Sequence, residues 1–584
     1  MRALRITRGG LFAFVPAIVL LALCLWAADL RGAVITAANL SPYDGFVPFM
    51  GSGAGVNLAS LPSSLDLRNY NGADYVTSVK DQGSMGTCWA FAVYGALESD
   101  LLMSGGPVSD FSENNLANHA GFEALGPNDG GDESMAIAYM SRLAGPGLES
   151  DDPYVGYDNK ATAPTTIPMQ QFLTEADFYT TPSAMKNAIM TVGGLSTSLY
   201  YDFSGAFRAS DDTYYYSGNA LVNHAVVIVG WDDNKATAGG TGAWLCKNSW
   251  NTGFGDNGYF WLSYQDTEGG KYGASFVTTS PSAVSAVYTH APHGEVGVVN
   301  SPLSCSVFQA TQLQSLKSVG FYTQQDGAGY DIRVYNHWAN GSPSGLLATV
   351  DGTSAYQGYH VVNLPSLVTL SAGESFVVYL GIANGGSYMQ AIDYSYPGYC
   401  TSTAGPGQSF YSFDGATWGD LQTFDTTASF AVNAYTTWFA GDVNHDGAIN
   451  AADIDAIYQH FGAAAGSQWK VAADGLPVGQ QDVTYELNSY FHTVYGDATL
   501  AGKVGIDDFS VLLAHWGSTT AGWADGDFTG DGTVNIDDFS LLLSNWGWTS
   551  SNYQSMAQET PEPATLSLLA LGGLALLRRK NPKR

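Results

Sequence analysis

The sequence Asp81-Gln82-Gly83-Ser84-Met85-Gly86-Thr87-Cys88-Trp89-Ala90-Phe91-Ala92 sets a thiol at the start of an apolar, helix-forming run. A thiol at a helix N-terminus feels the positive end of the backbone dipole, which favours the nucleophilic thiolate. Gln82, upstream across a Gly-containing turn, can fold back and donate an amide N–H to an oxyanion forming beside that sulfur. A cysteine nucleophile needs a base, and the base needs a group that orients it. His224 heads an apolar, β-branched run that ends at Gly230, which reads as a buried strand with histidine at its start. Trp244-Leu245-Cys246-Lys247 reads as a second strand. Asn248, just after it, can accept from one imidazole nitrogen and leave the other to the sulfur. The indole of Trp250 would keep water from that hydrogen bond. His224 follows Cys88 by 136 residues and Asn248 by 160. A cysteine with histidine and asparagine roughly 130–150 residues downstream is a known nucleophile pattern, which His224 fits and Asn248 slightly overruns.

Elements around these residues carry the same message. Leu61-Pro62-Ser63-Ser64-Leu65-Asp66-Leu67-Arg68, Ser112-Glu113-Asn114-Asn115-Leu116, Asn128-Asp129-Gly130-Gly131 and Asn248-Ser249-Trp250 follow in that order, with Gly253-Phe254-Gly255-Asp256-Asn257-Gly258-Tyr259-Phe260 after them. With these motifs, residues 61–280 resemble the papain-like cysteine peptidases. The resemblance implies an α+β catalytic domain of two lobes, one helical and one β-barrel-like, acting on a polypeptide substrate with no cofactor for catalysis. It implies Cys88 as nucleophile, His224 as general base and then acid, and Asn248 as orienter. Gln82 becomes an oxyanion donor beside the Cys88 backbone N–H, Gly130 and Gly131 part of a substrate-binding strand, Asn223 a further substrate contact, and Trp250 the shield. Met85 stands where the family usually has a disulfide-forming cysteine, and Gly86-Thr87 replaces the usual Gly-Ser. Residues 39–60 form a short segment without helical periodicity, where the family commonly has a helical inhibitory propeptide.

Formal net charge is −31, from 53 acidic and 22 basic side chains. Nine of those 22 lie at the two ends (Arg2, Arg5, Arg8, Arg31, Arg578, Arg579, Lys580, Lys583, Arg584), so the body is more acidic still. Such a body repels phosphate backbones and argues against a nucleic-acid partner. Residues 1–38, with three early arginines and then an apolar run, have the pattern of a secretory signal. At the other end Pro561-Glu562-Pro563 precedes a largely apolar stretch, 564–577, and a basic end; that stretch is short for a spanning helix. Residues 560–584 resemble the PEP-CTERM sorting signal, which implies transient membrane association and processing by an exosortase-type enzyme after a linker at 549–559. The mature protein is then expected at the cell surface or outside it.

Residues 283–437 carry short alternating runs such as Ser318-Val319-Gly320-Phe321-Tyr322 and Ser375-Phe376-Val377-Val378-Tyr379-Leu380, separated by turn residues. They predict an all-β sandwich that looks like a lectin-like domain. Cys246 reads as a core thiol; Cys305 and Cys400 flank the sandwich and could bridge in an oxidising compartment. In residues 439–548, Asp442, Asn444, Asp446, Ala448, Asn450 and Asp453 occupy positions one, three, five, seven, nine and twelve of a loop with Gly447 at six. Asp527, Thr529, Asp531, Thr533, Asn535 and Asp538 repeat the pattern around Gly532. Oxygen ligands converging on a hard cation, with glycine at the sharp turn, are calcium-loop chemistry. Both loops end in Asp and precede an apolar helix, which resembles dockerin repeats and implies structural calcium and a cohesin-like or carbohydrate partner. A third loop keeps Asp497, Thr499 and Asp508 but has Ala501 and Gly505 where oxygens are needed, and a more degraded second unit ends at Asp482. Two calcium sites are expected. The function that follows is an exported cysteine peptidase; the alternative is a surface adhesion or scaffold protein whose peptidase fold is vestigial.

Overall fold

The computed structural model describes residues 40–42, 61–122, 128–383, 389–465, 467–472 and 474–550. The expected signal at 1–38, nearly all of the segment at 39–60 and the sorting tail from 551 on lie outside the described residues. The chain divides into two compact units. The first ends at Thr437; the second starts at Trp438 and takes in residues 312–314. Among the described residues no helix is long and apolar enough to cross a membrane.

The first unit is α+β. Helix α1 (Cys88–Met103) is apolar or small around most of its circumference, and every residue from Trp89 to Leu101 is buried. A helix apolar all round must be enclosed on all sides. Shorter helices α2 (Glu113–His119), α3 (Glu133–Ser141) and α4 (Pro182–Thr191) start where side chains take up free N–H groups. Ser112 accepts from Asn115, Asp132 from Met135 and Thr181 from Ala184. Beside α1 run the antiparallel strands Phe172–Tyr179, Gly273–Thr279, Leu195–Leu199, His224–Thr237, Gly240–Lys247 and Tyr259–Ser263, each paired with the next in that order.

The sheet does not end within residues 61–280. Strand Gln357–Leu370 pairs antiparallel with Phe172–Tyr179, from Gln357 opposite Phe178 to His360 opposite Glu175. Through it the sheet continues into Gln314–Thr323, Asn433–Trp438 and Ala286–Thr289, giving thirteen strands in all. The self-contained barrel-like lobe and separate sandwich expected from sequence therefore share one sheet. The expected strands around 318–322 and 375–380 do form, and Gly329–Ala339 is another. A six-stranded sheet, including Gly329–Ala339 and Ser375–Ala383, closes a second core with Leu316, Phe321, Ile332, Phe376 and Leu380. Cys305 and Cys400 are both free, buried in different apolar clusters, so the bridge left open by the sequence is not made.

The second unit holds four loop–helix repeats with helices α5 (Ala451–Gln459), α6 (Gln480–Ser489), α7 (Ile506–Ala514) and α8 (Ile536–Ser544). Ile454, Val483, Leu512, Trp523, Phe528 and Leu542 make its core. Each helix opens in the same way. The third helical residue, Asp453, Asp482, Asp508 or Asp538, accepts the backbone N–H of the capping residue at 2.8–2.9 Å. This is the local reason for an aspartate at the twelfth loop position, whether or not the loop holds a cation.

Candidate active site

Cys88 is the first residue of α1, behind Thr87, so its thiol lies where helix N–H groups are unpaired. His224 opens the strand His224–Thr237, and Asn248 follows the last residue of the neighbouring strand, Gly240–Lys247. Pairing of Val227 with Lys247 sets the register that brings the two side chains together. His224 Nε2 and Asn248 Oδ1 stand 2.8 Å apart, and the same Oδ1 accepts the Ser249 backbone N–H at 2.8 Å. With the amide oxygen on Nε2, that nitrogen carries the proton and Nδ1 is left for the sulfur. The Trp250 indole stacks on the imidazole, centroids 4.3 Å apart and planes 20° from parallel, and Tyr201 meets the indole edge-on at 4.6 Å.

Gln82, Met85, Cys88, Tyr201, Phe203, Asn223, His224 and Trp250 line one cleft of about 390 Å³. Gln82 is buried and held on both sides. Its Oε1 accepts the Ser249 hydroxyl at 2.7 Å, and one amide N–H donates to Met85 O at 2.7 Å. Tyr154 donates to Gln82 O at 2.8 Å while its oxygen lies 2.7 Å from Thr87 Oγ1, tying the turn to the start of α1. Asn223 is an exposed residue of the cleft wall, its amide clasping the Tyr201 backbone. Gly130 and Gly131 form no strand; they lie in an unpaired stretch leading into α3. A Cβ at Gly131 would fall 2.3 Å from the Trp89 indole, and Gly86 donates its N–H to Asn128 Oδ1 at 2.8 Å. That stretch therefore packs against the residues flanking Cys88, without the strand hydrogen bonds expected of it.

Burial works against charge in the cleft. It pushes the Cys88 thiol up, although the N–H groups of Ala225, Trp89 and Cys88 itself favour the thiolate. It pushes His224 down to about 4, offset in part by the Asn248 hydrogen bond. Backbone donors at the sulfur and the amide oxygen at the imidazole are thus the groups that favour moving a proton from thiol to ring. Beneath the site, Lys80 meets Glu98 at 3.1 Å and Glu113 at 2.7 Å, and Lys247 donates to Thr77 at 2.9 Å. Sequence reasoning passed over Ser249, Tyr154, Tyr201 and this charged cluster. Only Ser249 had a local signal, its place between Asn248 and Trp250.

In the second unit Gly447 and Gly532 take positive φ, +86° and +80°, at the sixth loop position. Asp442 accepts from Asp446 N and Gly447 N, and Asp527 from Gly530 N and Gly532 N. Asp442, Asp453, Asp527 and Asp538 are buried, and among the described residues none is ion-paired to Lys or Arg. Asn444, Asp446, Ala448 and Asn450, and Thr529, Asp531, Thr533 and Asn535, fall in the same two loops. The other two loops differ. Asp497 takes the N–H groups of Ala501 and Gly502 as Asp442 takes those of Asp446 and Gly447, but it also takes the Thr493 hydroxyl at 2.6 Å, and Ala501 and Gly505 bring no oxygen side chain to this loop. In the degraded second unit, Lys470 Nζ lies 2.9 Å from Asp482 and 2.6 Å from Asp474, a tethered cation on the carboxylate.

Residues 61–282 match the papain family cysteine protease family, 274–436 the lectin like domain and 559–581 the PEP-CTERM protein-sorting motif. Mouse (Mus musculus) cathepsin K is 33% identical over 210 residues, 35% of this chain and 60% of the relative. Cathepsin L of Sarcophaga peregrina is 31% identical over 207 residues, 34% of this chain and 58% of the relative. The chain thus spans about three-fifths of the length of the curated relatives it matches. The solved cysteine protease and lectin-like domains of Cwp84, a surface layer associated protein of Clostridium difficile, superpose with a TM-score of 0.58 at 27% identity. The match covers 68% of this chain and 93% of that one. Residues 61–282 are therefore a papain-family cysteine protease domain, joined in this chain to a lectin-like domain and a PEP-CTERM sorting motif.

Proposed function

We propose that the chain is an exported, surface-directed cysteine peptidase. The observation that carries this is the His224 Nε2–Asn248 Oδ1 contact of 2.8 Å under Trp250, in the cleft that also holds Cys88 and Gln82. In the reaction, His224 Nδ1 takes the Cys88 proton and the sulfur attacks the scissile carbonyl. The uncommitted N–H of Gln82 and the Cys88 backbone N–H stabilise the oxyanion. The imidazolium then gives its proton to the leaving amine, and a thioester remains. Water, deprotonated by His224, attacks the thioester; the acid leaves and the thiol is restored. A vestigial peptidase fold in a scaffold protein would have no need of this hydrogen-bonded pair under an aromatic lid. Hydrolysis of a diverse peptide library by the purified protein tests the reading. No cleavage by the unmodified protein, with no loss of epoxide-inhibitor labelling in Cys88→Ala, would refute it.

Calcium in the loops at Asp442 and Asp527 belongs to the same reading. It is supported by two loops with oxygen side chains at the ligand positions and buried carboxylates that, among the described residues, no basic side chain neutralises. In the dockerin-like reading this segment would dock a cohesin-like partner, and the lectin-like domain a carbohydrate. Export follows from the sorting motif and from the surface-associated relative. Intact mass of the mature protein tests processing, which predicts an end near Pro561.

A further inference from the structure

The two domains of the first unit meet along the strand pair Phe172–Tyr179 and Gln357–Leu370, and on this seam three ligand-type side chains converge. Alternation along a strand puts Glu175 and Asp177 on one face, and His360 lies directly opposite Glu175 in the register. Gly358, opposite Asp177, has no room for a side chain, since a Cβ would fall 1.9 Å from Ala176 O. The space over Asp177 is therefore left to His360.

His360 Nδ1 stands 3.6 Å from Glu175 Oε1 and 3.9 Å from Asp177 Oδ1, too far for hydrogen bonds. The other imidazole nitrogen, Nε2, is 2.9 Å from Thr323 Oγ1. Thr323 Oγ1 is also 3.3 Å from Tyr356 O; in the tautomer where Thr323 gives its proton to that carbonyl, Nε2 is the donor and Nδ1 keeps a lone pair directed at the carboxylates. Asp177 Oδ1 is buried and has no hydrogen-bond partner. Asp177 Oδ2 takes only a long bond of 3.4 Å from Tyr179. The residue is 7% exposed. A buried carboxylate oxygen without a partner is costly. Among the described residues no Lys or Arg pairs with Glu175 or Asp177.

The geometry points to a divalent transition-metal site of the zinc class at Glu175, Asp177 and His360, stapling the lectin-like domain to the peptidase domain. Two ligand atoms each about 2.1 Å from one ion stand roughly 3–4 Å apart, the spacing of His360 Nδ1 from each of the two carboxylate oxygens, and all three ligand atoms lie within 4.8 Å of one another. An imidazole among the donors favours zinc-like ions over calcium or magnesium, so this site is chemically distinct from the loops of the second unit. Glu175 is half-exposed and gives the ion a way in from solvent.

The test uses the full chain carrying Cys88→Ala, which removes the competing thiol, in calcium-containing buffer that keeps zinc off the oxygen loops. Zinc uptake is measured by calorimetry and by metal analysis after dialysis, and cobalt(II) supplies a visible absorption band. One zinc site is expected that Glu175→Gln weakens at least about tenfold, with loss of the cobalt band and of the zinc-dependent rise in Tm. His360→Gln should do the same; should that variant fail to fold, the half-exposed Glu175 still decides the matter. Equal zinc affinity and an unchanged cobalt spectrum in Glu175→Gln would overturn the site. So would a His360 imidazolium, observed by NMR at neutral pH, that zinc does not alter.

Discussion

Ser249 Oγ donates to Gln82 Oε1 at 2.7 Å, so the residue after the orienting asparagine holds the candidate oxyanion donor. Gln82 N also donates to Ser249 O at 2.9 Å. Two halves of the site from distant parts of the sequence are thereby fixed to each other, and the amide cannot turn its oxygen toward the cleft without losing the Ser249 bond. Removing an oxyanion donor costs about 10²–10³ in kcat. Gln82→Ala should fall in that range with KM little changed. Ser249→Ala keeps the donor but frees its orientation and should lose roughly tenfold or less. Steady-state kinetics on one peptide substrate decides it; a Ser249→Ala effect as large as that of Gln82→Ala would contradict a positioning role.

Roles in proton transfer predict a different order. Cys88→Ala should abolish hydrolysis and labelling by an epoxide inhibitor of cysteine peptidases. His224→Ala should fall nearly as far, since nothing else in the cleft can take the thiol proton. Asn248→Ala should retain more, because Trp250 still stacks on the ring and holds it partly in place. An Asn248→Ala variant as inactive as His224→Ala would show that the hydrogen bond does more than orient.

Burial of His224 makes a statement about stability. Its pKa falls from the ordinary ~6.5 to about 4 in the folded protein. The unfolded chain therefore binds more protons between those values, and the contribution is complete above ~6.5 and lost as pH drops through 4. The shift corresponds to about 3 kcal/mol. Without the thiol no anion offsets the imidazolium, so the effect should be clearest in Cys88→Ala. From pH 7 to pH 4 that variant should lose about 3 kcal/mol more than Cys88→Ala/His224→Gln, read from urea unfolding of the first unit. Parallel losses in the two variants would mean that His224 is solvated or already charged.

How much of this could be read in the sequence depends on whether the signal is local. His224 at the head of a β-branched run and Asn248 just after a second strand are legible, because a buried strand needs that run and pairing of neighbouring strands brings the ends together. Cys88 at a helix start is legible for the same reason. The pairing of Gln357–Leu370 with Phe172–Tyr179 is not, since it joins segments far apart through backbone groups that every residue carries. The strand that the family resemblance implies at Gly130-Gly131 is not formed: a glycine pair says that something approaches closely, but not whether a strand or an indole is the neighbour. Cys305 and Cys400 show the same limit: composition says that two thiols can bridge, and only the fold says that Cys305 lies with Val377 and Tyr379 while Cys400 lies in the peptidase core cluster. In the second unit the aspartates at position twelve were legible, but their capping of the helices and the Lys470 ammonium on Asp482 were not.

The second unit yields the last prediction. Asp442 and Asp527 sit in loops with oxygens at the ligand positions, Asp497 is taken up by a threonine hydroxyl in a loop that has Ala501 and Gly505 where oxygens are needed, and Asp482 carries its own ammonium. Titration of the full chain should therefore show about two calcium sites, not four. Asp442→Ala and Asp527→Ala should each remove one, whereas Asp497→Ala should remove none. Without the cation the loop carboxylates repel one another, so chelation should lower the Tm of the second unit and leave that of the first unchanged. Lys470→Met should behave oppositely to a calcium ligand: it strips the cation from Asp482 and Asp474, and so should lower the Tm of the second unit even in saturating calcium. Loss of peptide hydrolysis on chelation would contradict the independence of the two units, because none of these carboxylates belongs to the unit that holds Cys88. A Lys470→Met protein as stable as its parent would show that the ammonium is dispensable and that the second repeat is held by its capping hydrogen bonds alone.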